Sequence, residues 1–130
     1  MIFLDASILI AYESLTMPPG AWALSVLTYC ELALGAAIDQ DESVRAVRKE
    51  RLRRWDLVGL DWLPFDRVAA QGYAEVAAEV WRTRRSHARS RDIMLAGQAF
   101  ALGASVATLN PQDFELVQHL VPIIVPEARV

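Results

Sequence analysis

Apolar runs broken by single polar residues set the organisation of this chain. Ile2, Phe3 and Leu4 form one run, closed by Asp5, Ala6 and Ser7 before Ile8, Leu9 and Ile10 resume it. A run this short, ending in small and hydroxyl residues, predicts a buried strand over residues 2–5 with Asp5 at its C-terminal end. A helix over Ala6 to Glu13 follows, and the prolines and glycine of TMPPG (Thr16–Gly20) predict a loop. AWALS predicts a short strand, and Ser25 is a good N-cap for a helix from Val26 to about Ile38.

Asp41 to about Leu57 is charged and helical in pattern, and DWLPF (Asp61–Phe65) predicts a second strand, where Pro64 suits an edge or an end. Asp66 caps a helix to about Arg82, with Val68, Ala69, Gly72, Val76 and Val80 expected on one face. RRSHARS is a basic loop, Ser90 caps a helix from Arg91 to Leu102, and Gly103 closes it. Ser105–Leu109 is a third strand, NPQDFELV a turn with a short helix, and Val121–Val125 a last strand. Strands alternating with helices imply parallel strands with helical crossovers, an α/β sandwich.

The length of 130 residues favours one domain, residues 1–130, and 54% hydrophobic residues fit a packed globule. The single cysteine, Cys30, excludes an internal disulfide and fits a reducing compartment. No basic leader precedes the first apolar run, and no run approaches the ~18 residues of a membrane span. A soluble cytoplasmic protein with no membrane association is expected. The net charge of −3 conceals two basic clusters: Arg45, Arg48, Lys49, Arg51, Arg53 and Arg54, then Arg82, Arg84, Arg85, Arg89 and Arg91.

Four acids stand where local structure explains them incompletely. Asp5 lies inside an apolar run, where a lone carboxylate is costly, although it would also cap the following helix, a role Ser7 could fill as well. Glu31 sits between Cys30 and Leu32 on a helix expected to be apolar nearly all round; no basic residue lies three or four positions away, so only a long-range arginine offers an ion pair. Asp92 opens a helix, where the macrodipole favours a carboxylate, and Asp113 sits in a turn that suits Asp for local reasons. Loops after neighbouring parallel strands converge, which would bring these acids together. Two carboxylates about 4 Å apart repel by on the order of 4 kcal/mol at an effective dielectric near 20, so protons or cations must relieve such a cluster. Oxygen ligands select Mg²⁺ or Mn²⁺, and Cys30, His87 and His119 are too scattered for a zinc site.

FLDASILIAY, SVLTYCELALGA and RDIMLAGQAFALGASVATLNPQDF resemble, in order, the motifs of the PIN domain, and more specifically the toxin ribonuclease of a VapBC toxin–antitoxin pair. The matching residues are Asp5, Ala6 and Ser7; Glu31, Leu32 and Gly35; Asp92, Leu95 and Ala96; and Thr108, Asn110, Asp113 and Phe114. Gly97 stands where the family more often has Ala, a departure expected to loosen its helix. The middle of the chain, Asp39 to Arg89, carries little of the match.

The resemblance implies a PIN-like three-layer sandwich, with a central, mostly parallel sheet of four to five strands flanked by helices. It implies metal-dependent endoribonuclease activity: Asp5, Glu31 and Asp92 would hold Mg²⁺ or Mn²⁺, directly or through water. Asp113 would complete the acidic set or orient water, and Ser7, Thr108 and Asn110 would supply supporting hydrogen bonds. A homodimer and a cognate VapB-type antitoxin that blocks the site are implied as partners.

An acid cluster alone repels RNA, so Arg84, Arg85 and Arg89, which run directly into Asp92, are candidates for binding its phosphates. A solvated face, or a docking surface for an acidic antitoxin, is the alternative for both basic clusters. Trp22, Trp55, Trp62 and Trp81 are expected in the core or an interface rather than as base-stacking platforms. A dehalogenase-like phosphatase would need an Asp at position 7, where Ser7 stands; a receiver domain would need a late lysine, and Lys49 is the only lysine. A PIN-fold protein that binds RNA or a partner without cutting is the remaining rival.

Overall fold

In a computed structural model describing residues 1–130, the chain runs β1 (Ile2–Leu4), α1 (Ala6–Ala11), β2 (Leu15–Thr16), β3 (Trp22–Ser25), α2 (Val26–Ile38), α3 (Glu42–Asp56), β4 (Trp62–Leu63), α4 (Arg67–Thr83), α5 (Arg91–Ala101), β5 (Ser105–Ala107), β6 (Ile123–Ile124) and β7 (Glu127–Ala128). Five strands form one sheet in the order β4-β3-β1-β5-β6. Every pairing in it is parallel, with Phe3 of β1 opposite both Ala23 of β3 and Val106 of β5. Strands β2 and β7 form a separate antiparallel pair.

Side chains on a strand alternate between faces, and the core divides accordingly. Phe3, Ala23 and Val106 belong to one apolar cluster with Val76, Val80, Ile93 and Ala96 of α4 and α5. Ile2, Leu4, Leu24 and Ala107 belong to the other, with Ile8 and Leu9 of α1, Leu32 of α2 and Trp55 of α3. The result is the three-layer sandwich expected. No helix is long and apolar enough to cross a membrane.

Local chemistry explains the helix starts. The carboxyl or hydroxyl oxygens of Asp5, Ser25, Asp41, Asp66 and Ser90 each accept a backbone N–H in the first turn of the helix that follows. Gly103 ends α5 with φ of 62°, the left-handed conformation that favours glycine.

Several boundaries differ from expectation. The α-helix after Asp5 stops at Ala11, and a 3-10 turn covers Tyr12–Ser14 before β2. The basic RRSHARS segment is a 3-10 turn over Arg85–Arg89 rather than an open loop. On α4, Ala69, Gly72, Val76 and Val80 face the core but Val68 is exposed.

The Gly97 expectation is corrected as well. Its lack of a side chain does not loosen α5; it lets α5 press against α4. A Cβ on Gly97 would overlap the Tyr73 backbone, and one on Gly72 would overlap the Gly97 carbonyl and Ala101.

Candidate active site

From β1 the chain moves outward through β3 to β4, then crosses back to β5 and β6 on the other side of β1. The reversal between β1 and β5 makes a topological switch point, the usual place for ligands in an open parallel sheet. Asp5 directly follows β1, and Thr108, Asn110 and Asp113 follow β5.

Hydrogen bonds tie these two strand ends together. The Asp5 N–H donates to the Ala107 carbonyl at 3.1 Å. The Ser7 hydroxyl donates to Asp5 Oδ1 at 2.5 Å and accepts the Leu109 N–H at 3.0 Å. Asp5 Oδ1 also accepts the Ile8 N–H at 3.3 Å. Asp5 is therefore both the helix cap and a buried carboxylate at the switch point, and Ser7 is its partner rather than its competitor. Across the crevice, buried Thr108 accepts the Asn110 N–H through Oγ1 at 3.0 Å, and the Asn110 carbonyl accepts the Asp113 N–H at 3.0 Å. That turn fixes where Asp113 stands.

Asp92 lies in the first turn of α5, after the cap made by Ser90. Its carboxyl is pushed up to about 6, first by burial and then by the negative charges of Asp113, Glu31 and Asp5, with His87 acting in the opposite sense. Four acids from four separate segments thus share one electrostatic environment. None of the four makes an ion pair with an arginine or lysine.

Glu31 differs in detail from expectation. Helix α2 is not buried all round: Cys30, Glu31, Leu34 and Ile38 are exposed. Glu31 lines a cavity of about 350 Å³ with Ala6, Arg48 and Arg51, yet Arg48 pairs with Asp39 and the Gly35 carbonyl instead. The long-range arginine pair considered for Glu31 does not form.

The four carboxylates stand at Coulombic rather than coordinating range, since no three Asp, Glu, His or Cys side chains converge into a ready-made ligand shell. Their chemistry nevertheless fits a hard dication: the donors are all oxygen, and no arginine or lysine pairs with them.

A separate concavity of about 800 Å³ is an apolar groove between α1 and α3, lined by Ile10, Tyr12, Val47, Trp55 and Val58 among others. It is not the acid cluster, but Ile10 and Arg51 border both it and the cavity that holds Glu31.

No family model and no curated protein matches the chain. Solved structures do. A member of the VapBC family of toxin–antitoxin systems, VapBC-5 from Mycobacterium tuberculosis, is 25% identical, with a TM-score of 0.75 over 95% of this chain and 94% of that one. The fold is that of the VapC-type PIN toxins. FitAcB from Neisseria gonorrhoeae (24% identical, TM-score 0.68, covering 95% of this chain and 96% of that one) has the same fold. So does VapBC2 from Rickettsia felis bound to a DNA fragment from its promoter (18% identical, TM-score 0.70, covering 98% and 100%).

Within this PIN fold, Arg84, Arg85 and Arg89 are exposed on the turn that leads into α5. Three further residues have settings that the sequence did not foretell. His87 Nε2 stands 3.4 Å from the Asp113 carbonyl, although the sequence shows only a lone histidine among arginines. Gln98, buried on α5, accepts the Ser25 hydroxyl at 2.5 Å and donates to the Pro64 carbonyl at 3.2 Å. A polar residue inside the apolar sequence LAGQAFA was the available signal. Trp81, expected in the core or an interface, is 41% exposed, with the Arg85 guanidinium 4.7 Å and the Arg89 guanidinium 5.7 Å from its ring centre.

Proposed function

We propose that this protein is the toxin of a toxin–antitoxin pair, a cytoplasmic, Mg²⁺- or Mn²⁺-dependent endoribonuclease. The observation that carries the reading is the common electrostatic environment of Asp5, Glu31, Asp92 and Asp113 at the switch point, with no arginine or lysine paired to any of them. The likeness to VapBC structures supports the toxin assignment.

In this reading Asp5, Glu31 and Asp92 would hold the ion, and Asp113 completes the acidic set. When bound, the ion supplies charge neutralisation at phosphate and a lowered pKa for water. The protein's own residues do the positioning. The Ser7 hydroxyl and the Ile8 N–H hold one oxygen of Asp5 and leave the other free for the ion. The Thr108–Asn110 turn aims Asp113, and Arg84, Arg85 and Arg89 draw the phosphate backbone toward the acids.

The same reading assigns the apolar groove between α1 and α3 to the antitoxin, because the groove runs by way of Ile10 and Arg51 to the cavity of Glu31, where an inhibitor would act. It takes the active toxin to be a homodimer.

Incubation of the purified protein with RNA tests the reading. Cleavage is expected with Mg²⁺ or Mn²⁺, none with EDTA, and none from Asp5→Asn, Glu31→Gln or Asp92→Asn. Metal-independent cleavage, or cleavage retained in two of the three variants, overturns it. RNA binding without cutting in every condition would favour the non-catalytic PIN-fold reading.

A further inference from the structure

We propose that Trp81, with Arg85 and Arg89 stacked over its indole, forms a subsite for single-stranded RNA beside the acid cluster. Phosphates would lie on the two guanidinium groups, and a base would stack on the indole–arginine platform. The identity of the polymer rests on the nuclease reading above; the platform rests on its own geometry.

Three observations carry it. First, Trp81 is a partly exposed tryptophan near the end of α4 with two guanidinium groups over its ring. Cation–π contact holds guanidinium groups in place without consuming their N–H donors, which stay free for phosphate.

Second, the charge around it is unbalanced. Arg82 pairs with Glu79, but Arg84, Arg85, Arg89 and Arg91 have no acidic partner. Unpaired cations packed this closely repel one another, and a polyanion relieves that repulsion.

Third, the platform adjoins the acids. Arg85 and Arg89 belong to the same 3-10 turn as His87, whose ring reaches the Asp113 carbonyl, and that turn ends at the Ser90 cap of the helix carrying Asp92. The turn that carries Arg85 and Arg89 thus links the acid cluster to the Trp81 ring. Exposed aromatic rings interleaved with arginine are how proteins hold unpaired nucleotides without reading their sequence.

Binding of a labelled twelve-nucleotide oligouridylate to the full chain in EDTA tests this, because it reads affinity without cutting. Trp81→Ala is expected to weaken binding about tenfold, the scale of one lost base stack, while Trp81→Phe keeps most of the affinity. Arg85→Gln and Arg89→Gln should each reduce the slope of log affinity against log salt by roughly 0.7. With Mn²⁺ present, Trp81→Ala should lower kcat/KM about tenfold, mainly through KM.

Wild-type affinity in folded Trp81→Ala, checked by its melting temperature, overturns the subsite even if the protein cuts RNA. A change in oligomeric state by light scattering with RNA affinity unmoved also overturns it, and makes this face a contact between copies. RNA of mixed sequence that binds through Trp81 but is cut with neither Mg²⁺ nor Mn²⁺ supports the subsite and favours the non-catalytic reading instead.

Discussion

Gly72 on α4 and Gly97 on α5 meet backbone to backbone, with the Gly97 carbonyl where a side chain on Gly72 would have to be. This approach seats the helix that carries Asp92 against the core. Gly97→Ala should therefore destabilise the protein by about 3 kcal/mol, despite the better helix propensity of alanine, because the obstructing atoms are the Tyr73 backbone and cannot turn away. Chemical denaturation measures this. A variant within about 0.5 kcal/mol of wild type would show that the two helices slide apart cheaply.

Asp92 should give the protein a distinctive pH response. Its carboxyl titrates at about 6, above its ordinary 3.8, so the folded state holds that proton more tightly than the unfolded chain does. Ionised Asp92 therefore opposes folding above pH 6, and the opposition is relieved as pH falls from about 6 toward 3.8. Asp92→Asn should melt above wild type at pH 7 and lose that advantage by pH 4. Mn²⁺ competes with the proton at the same oxygens, so its affinity should fall below pH 6. An equal advantage for Asp92→Asn at both pH values would contradict this account.

Glu31 is exposed and makes no ion pair, so Glu31→Gln in EDTA should match or exceed the stability of wild type. The same variant should lower the Asp92 pKa, readable by carboxyl carbon NMR, because one of the charges raising it has gone. Mg²⁺ at a hundredfold excess over its dissociation constant should stabilise wild type by about 2.7 kcal/mol and the variant much less. A variant that melts far below wild type in EDTA while keeping its Mg²⁺ response would exclude Glu31 from the metal site.

Gln98 links the start of α2, the turn before α4 and α5 through one buried amide. Gln98→Leu keeps the bulk but leaves the Pro64 carbonyl without its donor, which should cost about 1–3 kcal/mol. Thermal unfolding checks it, and an unchanged melting temperature would mean that water replaces the amide at no cost.

Much of this molecule is set by short-range rules that operate inside a few residues. The strand at Ile2–Leu4, the caps at Asp5, Ser25, Asp66 and Ser90, and the glycine stop at Gly103 each follow from local hydrogen bonding and apolar period. The alternation of strands and helices was enough to imply an α/β sandwich with parallel strands, and the PIN-like form of it was implied by the resemblance of the acidic motifs to that family.

Tertiary structure alone decided the rest. The β2–β7 pair joins Leu15 to Ala128, and two-residue strands carry no local pattern. The exposure of Glu31 depended on which side of α2 met the sheet, and an apolar helix does not announce that side. By residue type Trp81 suited either core or interface; only the packing of α4 left it on the surface under two arginines. Burial and charge at Asp92 are sums over segments far apart in the chain, so no local pattern contains them.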